Sequence, residues 1–150
     1  LLVALWLWRP RPFWLVLLGV VLLVTLTDQL SSGLLKPLVE RPRPCTVGDI
    51  QAALYVPGGC GGGYTFVSSH ATNTMGAAVL VGLLLAGHSG WWLWGLLLWS
   101  ALNGYSRIYL GVHYPGDVLC GWLLGAACGY GVWALLAAVD ARLPAGWRRF

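Results

Sequence analysis

The sequence predicts an all-α, multi-spanning transmembrane helix bundle of about five helices or parts of helices. Three observations predict it. The residues are 58% hydrophobic and only 9% charged, beyond the roughly 45–50% apolar content of an average soluble domain, and mean hydropathy is +0.72. The apolar residues form runs, Phe13 to Thr27, Gly76 to Gly87, Trp91 to Leu102 and Val118 to Val139, which approach the ~20 residues of a spanning helix once a few polar neighbours are added. Ten Trp and six Tyr are many for this length, and Trp6, Trp8, Trp14, Trp91, Trp92 and Trp94 fall where helices should meet lipid headgroups, as interfacial anchors.

The elements follow in order. Leu1 to Trp8 is too short to cross alone. It is expected to be the end of a helix whose start precedes this sequence, because no small-residue cleavage site follows it and RPRP at 9–12 has the character of a helix-to-helix turn. A second helix is expected over 13–36, a third over 69–87, a fourth over 91–108 and a fifth over 115–139. The fifth carries Gly121, Gly125 and Gly129 at four-residue intervals, a spacing that lets two helix backbones approach closely. Between the second and third helices lies the long Pro/Gly-rich segment 37–66, with RPRP and PGGCGGG, expected to form turns rather than helix. GHSG at 87–90 and HYPG at 113–116 are short connections. The whole chain, 1–150, reads as one domain without solenoid-type repeats.

Charge excludes some partners. The formal net charge of +4 is scattered, with no basic face of the kind nucleic-acid binding requires. Counting crossings puts the 37–66 segment and the 106–116 turn on one side of the membrane. That side holds Lys36, Arg41, Arg43 and Arg107, against Arg9, Arg11, Arg142, Arg148 and Arg149 on the other, a balance that decides little about orientation. Cys45 and Cys60 bracket the long segment and could close a disulfide if it faces an oxidising compartment. Unpaired thiols or a metal site are the alternatives, although neither CxxC nor HxxxH is present.

Ionisable groups close to hydrocarbon are costly, so their positions carry information. Along the second helix Thr25, Gln29, Ser32 and Lys36 recur as a polar stripe expected to face the bundle interior, with Asp28 beside it, expected to pair inside the bundle. Lys36 is followed by Arg43. In FVSSH at 66–70, Ser68 is a candidate N-cap, which turns the backbone N–H groups of the next helical turn toward an anion site. His70 stands beside it. In SRIYLGVHYPGD at 106–117, Pro115 suits a first helical turn and Tyr114 before it an extended conformation. Asp117 then falls within one turn of His113, where a carboxylate orients an imidazole and stabilises its charged form. Together these clusters surround one face with cations and two histidines, a set suited to phosphoryl transfer, whose main demand is charge stabilisation. No acidic cluster is present to hold magnesium.

These residues carry a resemblance. Lys36 to Arg43-Pro44 fits K-x6-R-P, Ser68-Ser69-His70 fits P-S-G-H, and Ser106-Arg107 through His113 to Asp117 fits S-R-x5-H-x3-D. In motif order and spacing the chain resembles the type 2 phosphatidate phosphatase superfamily of membrane lipid phosphatases, related to the vanadium haloperoxidases, over about Leu15 to Leu136. It departs from the pattern in having Val67 and Ser69 where the family has Pro and Gly. The resemblance implies that His113 attacks phosphorus to form a phosphohistidine, that Asp117 holds it, and that His70 protonates the leaving oxygen. It implies Lys36, Arg43, Ser68, the Ser69 amide and Arg107 as phosphate ligands, no metal and no cofactor. A six-helix family would make this chain short of the first helix and part of the second. The expected activity is removal of a terminal phosphate from a membrane lipid phosphate or diphosphate at the outer face of a bacterial cytoplasmic membrane. Undecaprenyl diphosphate is preferred, ahead of phosphatidylglycerol phosphate, phosphatidate and a lipid A phosphate. A lipid phosphotransferase, or a non-catalytic headgroup-binding or transport bundle, would use the same cations.

Overall fold

A computed structural model describes residues 12–54, 56, 58–87 and 89–144. The helix expected to end near Trp8, with Trp6 and Trp8, lies outside the described residues. The described chain is all-α. Helix α1 runs Phe13–Val39 and opens on Pro12, whose carbonyl accepts the Leu15 N–H at 2.9 Å. It ends on Glu40, in the left-handed conformation at φ 50°. Helix α2 is a single turn, Gly48–Gln51. Helices α3, Ser69–Leu85, and α4, Trp91–Tyr109, are followed by α5, Pro115–Arg142.

Local chemistry accounts for these boundaries. Ser68 is the N-cap of α3, its hydroxyl accepting the Ala71 N–H, which satisfies one of the donors a helix start leaves open. Pro115 occupies the first turn of α5, where no N–H is needed, and Tyr114 is extended at ψ 154° because the proline ring forbids a helical residue before it. Helices α1 and α5, at 27 and 28 residues, are long and apolar enough to cross a membrane. Helix α3 is apolar but shorter.

Two expectations are corrected. The segment 37–66 is not wholly turn, because it contains α2 and a 3-10 turn at Pro44–Thr46. The polar stripe on α1 is also broken. Thr25, Gln29 and Asp28 are exposed, whereas Thr27 and Ser31 are buried. The cause is a π-helical stretch, Gln29–Leu35. A π turn takes in one extra residue, and at 3.6 residues per turn each residue is worth about 100° of rotation. A stripe drawn at constant period therefore leaves the inward face part-way along, and only Ser32 and Lys36 come round to the interior cavity. Asp28 is exposed, and its carboxylate acts electrostatically on Lys36 from there.

The helix pair that positions the site is α3 against α5. A Cβ at Gly121 would fall 2.8 Å from the Ser68 carbonyl oxygen, one at Gly129 2.5 Å from that of Gly76, and one at Gly125 would overlap the Thr72 carbonyl. The three glycines thus let the α3 backbone lie directly on α5, the small-residue packing of membrane helices. Away from the site, Leu15, Val16, Leu23, Leu80, Val81, Leu84, Leu85, Val132 and Leu136 close the core. The outward faces remain apolar. Trp91, Trp94 and Leu123 are among many large exposed hydrophobic residues, a surface suited to lipid rather than water.

Candidate active site

At the end of the bundle where α3 and α5 begin, a cavity of about 340 Å³ is lined by Ser32, Lys36, Arg43, Ser69, His70, Arg107 and His113, with the stretch Gly58–Gly61 and Val112 completing its wall. Three basic side chains and two imidazoles therefore share one pocket, delivered by five separate pieces of chain. No carboxylate lines it. Lys36 comes from α1 just past the π stretch, and Arg43 from the loop beyond. Ser69 and His70 form the first turn of α3, Arg107 sits in the last turn of α4, and His113 just precedes α5.

Each side chain has a structural reason to be there. Arg43 donates from Nη1 to the Val112 carbonyl and from Nη2 to the Gly62 carbonyl, both at 3.2 Å, while its buried Nε has no protein acceptor. Burial pulls the guanidinium below the usual arginine range, against the opposing pull of the Asp117 carboxylate. A guanidinium with one buried donor unsatisfied is chemically suited to an anion. Arg107 donates from Nε to Ser106 Oγ at 3.2 Å, and Ser106 in turn donates to the Asn103 carbonyl. Ser69 Oγ lies 2.8 Å from Ser32 Oγ and accepts from Ser31 Oγ at 3.1 Å. That contact fastens the π stretch of α1 to the start of α3. Arg107, His113, Lys36 and Arg43 all act electrostatically on His70. Glu40 is turned instead to Tyr64, whose phenol it holds above the usual range by a hydrogen bond.

Ser68 stands apart from the other expected phosphate ligands. It is fully buried, its hydroxyl serves the α3 cap, and it is not among the residues lining the cavity. Ser69 lines the cavity in its place.

Behind His113 the arrangement is more elaborate than a carboxylate–histidine pair. His113 Nδ1 lies 3.8 Å from Asp117 Oδ2, beyond hydrogen-bond reach. Thr65 Oγ sits between them, 2.9 Å from Nδ1 and 2.6 Å from Oδ2. Asp117 Oδ2 also accepts the Tyr114 N–H at 2.9 Å, and Oδ1 accepts from Arg41 Nη1 at 3.0 Å. Arg41 in turn stacks 3.9 Å over the Tyr114 ring. Asp117 and Thr65 are wholly buried and His113 nearly so, at 5% exposure.

Cys45 and Cys60 are joined in a disulfide, with Cα atoms 5.8 Å apart. The bond ties the glycine-rich wall of the cavity to the segment just after Arg43. Cys120 and Cys128 are free thiols. Among the described residues no three His, Cys, Asp or Glu side chains gather as a metal-binding group.

Comparison with known sequences decides the family. A model of the PAP2 superfamily matches residues 13–140. The chain belongs to the PAP2 superfamily. It is 38% identical over 117 residues, 77% of this chain and 50% of the other, to a protein of Bacteroides thetaiotaomicron named lipid A 4'-phosphatase. A protein of Porphyromonas gingivalis with the same name is 37% identical over 83% of this chain and 53% of its own length. A Sulfolobus acidocaldarius protein named undecaprenyl-diphosphatase is 43% identical over 42% of this chain and 29% of its own. This PAP2 chain thus spans about half the length of the first two relatives. No solved structure matches it.

Two residues of this PAP2 site were not singled out from sequence as functional, Thr65 and Arg41. Both act on Asp117, from 52 and 76 positions away, so no local spacing marks them.

Proposed function

We propose that this chain is a membrane lipid phosphatase that hydrolyses a terminal phosphate from a lipid phosphate through a phosphohistidine, without a metal. The observation that carries the reading is the convergence of Lys36, Arg43, Arg107, His70 and His113 on one cavity. Its positive lining matches the charge of a phosphoryl group, and stabilising that charge is most of what such a transfer requires. Arg43 Nε, buried without an acceptor, fits a phosphate oxygen as its missing partner.

In this reading Lys36, Arg43, Arg107 and the Ser69 amide bind the phosphate oxygens, while Ser68 acts through the helix cap that aims those amides. The His113 Nε2 lone pair attacks phosphorus as the bond to the leaving oxygen breaks, and His70 gives that oxygen a proton. Water activated by His70 then attacks phosphorus, the N–P bond breaks and the lone pair returns to Nε2. The cavity takes Lys36 from α1 and His113 from just before α5, and these are the two long apolar helices, so in this reading a lipid keeps its tail in the bilayer while its headgroup enters. The site faces the periplasm or exterior, which suits a loop closed by a disulfide.

The first substrate to test is a lipid A 4'-phosphate. Two relatives that are 38% and 37% identical over 77% and 83% of this chain bear that name, ahead of one named sphingosine-1-phosphate phosphatase 1 at 30% over 79%, whereas the one named for undecaprenyl diphosphate aligns over 42% of it. That coverage shifts the preference away from undecaprenyl diphosphate, which becomes the second substrate to test. The experiment is release of inorganic phosphate from a panel of lipid phosphates in chelator, with wild type and His113→Ala. Release by wild type and near-complete loss in the variant are expected. Equal behaviour of the two would leave the headgroup-binding reading standing, and transfer of the label to a lipid or sugar acceptor would establish a phosphotransferase.

A further inference from the structure

The geometry points to Thr65 as the positioning residue of this site, a hydroxyl relay that joins His113 to Asp117 and fixes which ring nitrogen carries the proton. The inference rests on the proposed role of His113 and deepens it.

A threonine hydroxyl has one proton to give. Three acceptors lie near Thr65 Oγ: the Val112 carbonyl at 3.4 Å, His113 Nδ1 at 2.9 Å and Asp117 Oδ2 at 2.6 Å. An ionised carboxylate only accepts, and bonds to it are the shortest and strongest. The Thr65 proton therefore goes to Oδ2. With its proton committed, Thr65 Oγ can only accept from His113, so Nδ1 must carry the hydrogen and Nε2 must hold the free lone pair. The direct path is the longer one, with Nδ1 3.8 Å from Asp117 Oδ2, so the hydroxyl carries the closer contacts to both groups.

The relay is rigidly held. Thr65 N–H donates to the Arg41 carbonyl at 2.9 Å, and the Arg41 side chain returns to Asp117 Oδ1 at 3.0 Å, so the segment carrying Thr65 is tied to the same carboxylate at both ends. Thr65 is fully buried, and its β-branch limits the hydroxyl to few rotamers. A buried network in which every member is satisfied favours one arrangement over its alternatives.

The chemical consequence is balanced. When Nε2 bonds to phosphorus the ring keeps its Nδ1 hydrogen and acquires a positive charge, which reaches the Asp117 carboxylate through the Thr65 hydroxyl. When water displaces the phosphoryl group the lone pair returns to Nε2. The Nδ1 hydrogen never leaves, and Thr65 remains oriented for the next turnover.

The test compares Thr65→Val, which keeps the shape and removes the hydroxyl, with Thr65→Ser, which keeps the hydroxyl. In a comparable hydrogen-bonded dyad the wrong tautomer costs up to ~10⁴-fold in turnover. Thr65→Val is expected to lower kcat by at least about 100-fold with KM changed little, and Thr65→Ser to stay within about fivefold of wild type. Adding Thr65→Val to Asp117→Asn should cost little beyond Asp117→Asn alone, because the two residues act through one path. Nitrogen-15 NMR of histidine-labelled full chain in nanodiscs reads the tautomer without turnover, and His113 should carry its proton on Nδ1 in wild type and Thr65→Ser. A wild-type His113 protonated on Nε2 overturns the inference whether or not Thr65→Val folds, as does a folded Thr65→Val with unaltered kcat. If wild type releases no phosphate, the proposed function fails, while the nitrogen spectrum still decides the relay.

Discussion

Ser68 donates its backbone N–H to the Asp117 carbonyl oxygen at 3.1 Å, so the first turns of α3 and α5 are joined main chain to main chain. His70 and His113 flank that junction. Their relative placement is thus set by how closely the two helices lie, which in turn depends on the glycines of α5.

Gly125 is the sharpest test of that dependence. A Cβ there would overlap the Thr72 carbonyl, whereas one at Gly131 meets nothing within 4 Å. Gly125→Ala is expected to destabilise the bundle by about 1–3 kcal/mol, the usual cost of overpacking, and to lower phosphate release by parting the histidines. Gly131→Ala should be neutral, or stabilising by up to about 1 kcal/mol from the helix-propensity gain. Thermal unfolding in detergent with parallel activity assays checks both. Equal stability of the two variants would refute close backbone packing as the determinant.

Arg43 makes two backbone bonds through separate nitrogens and leaves a third, buried nitrogen without a protein acceptor, which the proposed function gives to a phosphate oxygen. A lysine offers one point charge and cannot reproduce that fork. Arg43→Lys is therefore expected to reduce kcat/KM roughly 10- to 100-fold, the equivalent of about one charge-assisted hydrogen bond. Steady-state kinetics on a lipid phosphate would show it, and unchanged kinetics would remove Arg43 from the phosphate site.

The disulfide closes a loop with a sequence separation of 15, worth about 3 kcal/mol in the chain-entropy estimate. Replacing Cys45 and Cys60 by Ala should lower the unfolding temperature by several degrees. It should also raise KM, because the Gly58–Gly61 wall loses its tether. Reductant should do the same to wild type and nothing further to the double variant. Thiol labelling with and without reductant counts the reactive cysteines and would expose a reduced pair.

The π stretch permits a register test. Deleting Gly33 removes one residue from Gln29–Leu35 and should rotate Lys36 by about 100° relative to the preceding helix. Membrane insertion is expected to persist while phosphate release is lost. Activity in the deletion variant at the wild-type level would show that Lys36 reaches the substrate by another route.

Much of this architecture was visible in the letters because its causes are local. Pro115 and Ser68 announce helix starts through a missing N–H and a capping hydroxyl, and the glycine triplet announces a close helix contact. Motif spacing brought forward Lys36, Arg43, His70, Arg107 and His113, which meet in one cavity. What escaped depends on distance or on backbone alone. A π turn in QLSSGLL has no residue signature, so the stripe through Thr25 and Gln29 was drawn at a period the chain abandons. Thr65 and Arg41 reach Asp117 across 52 and 76 positions, and nothing in a loop of threonine, arginine and glycine singles them out before the chain is folded. Ser68 could be read as cap or as ligand, and its burial, with the hydroxyl accepting the Ala71 N–H, emerges only once the chain is folded.

The stretch Gly58–Gly61 faces the cavity almost entirely as main chain. Such a surface carries few side-chain features by which to gauge what hangs beyond the phosphorus, whether sugar, glycerol or a second phosphate. Under the proposed function, tuning for one headgroup over another would then come from lengthening or shortening that strip, while Lys36, His70, Arg107 and His113 stand on other segments. In that reading selectivity and chemistry sit largely on different pieces of polypeptide, coupled through the Cys45–Cys60 bond and the Arg43–Gly62 contact.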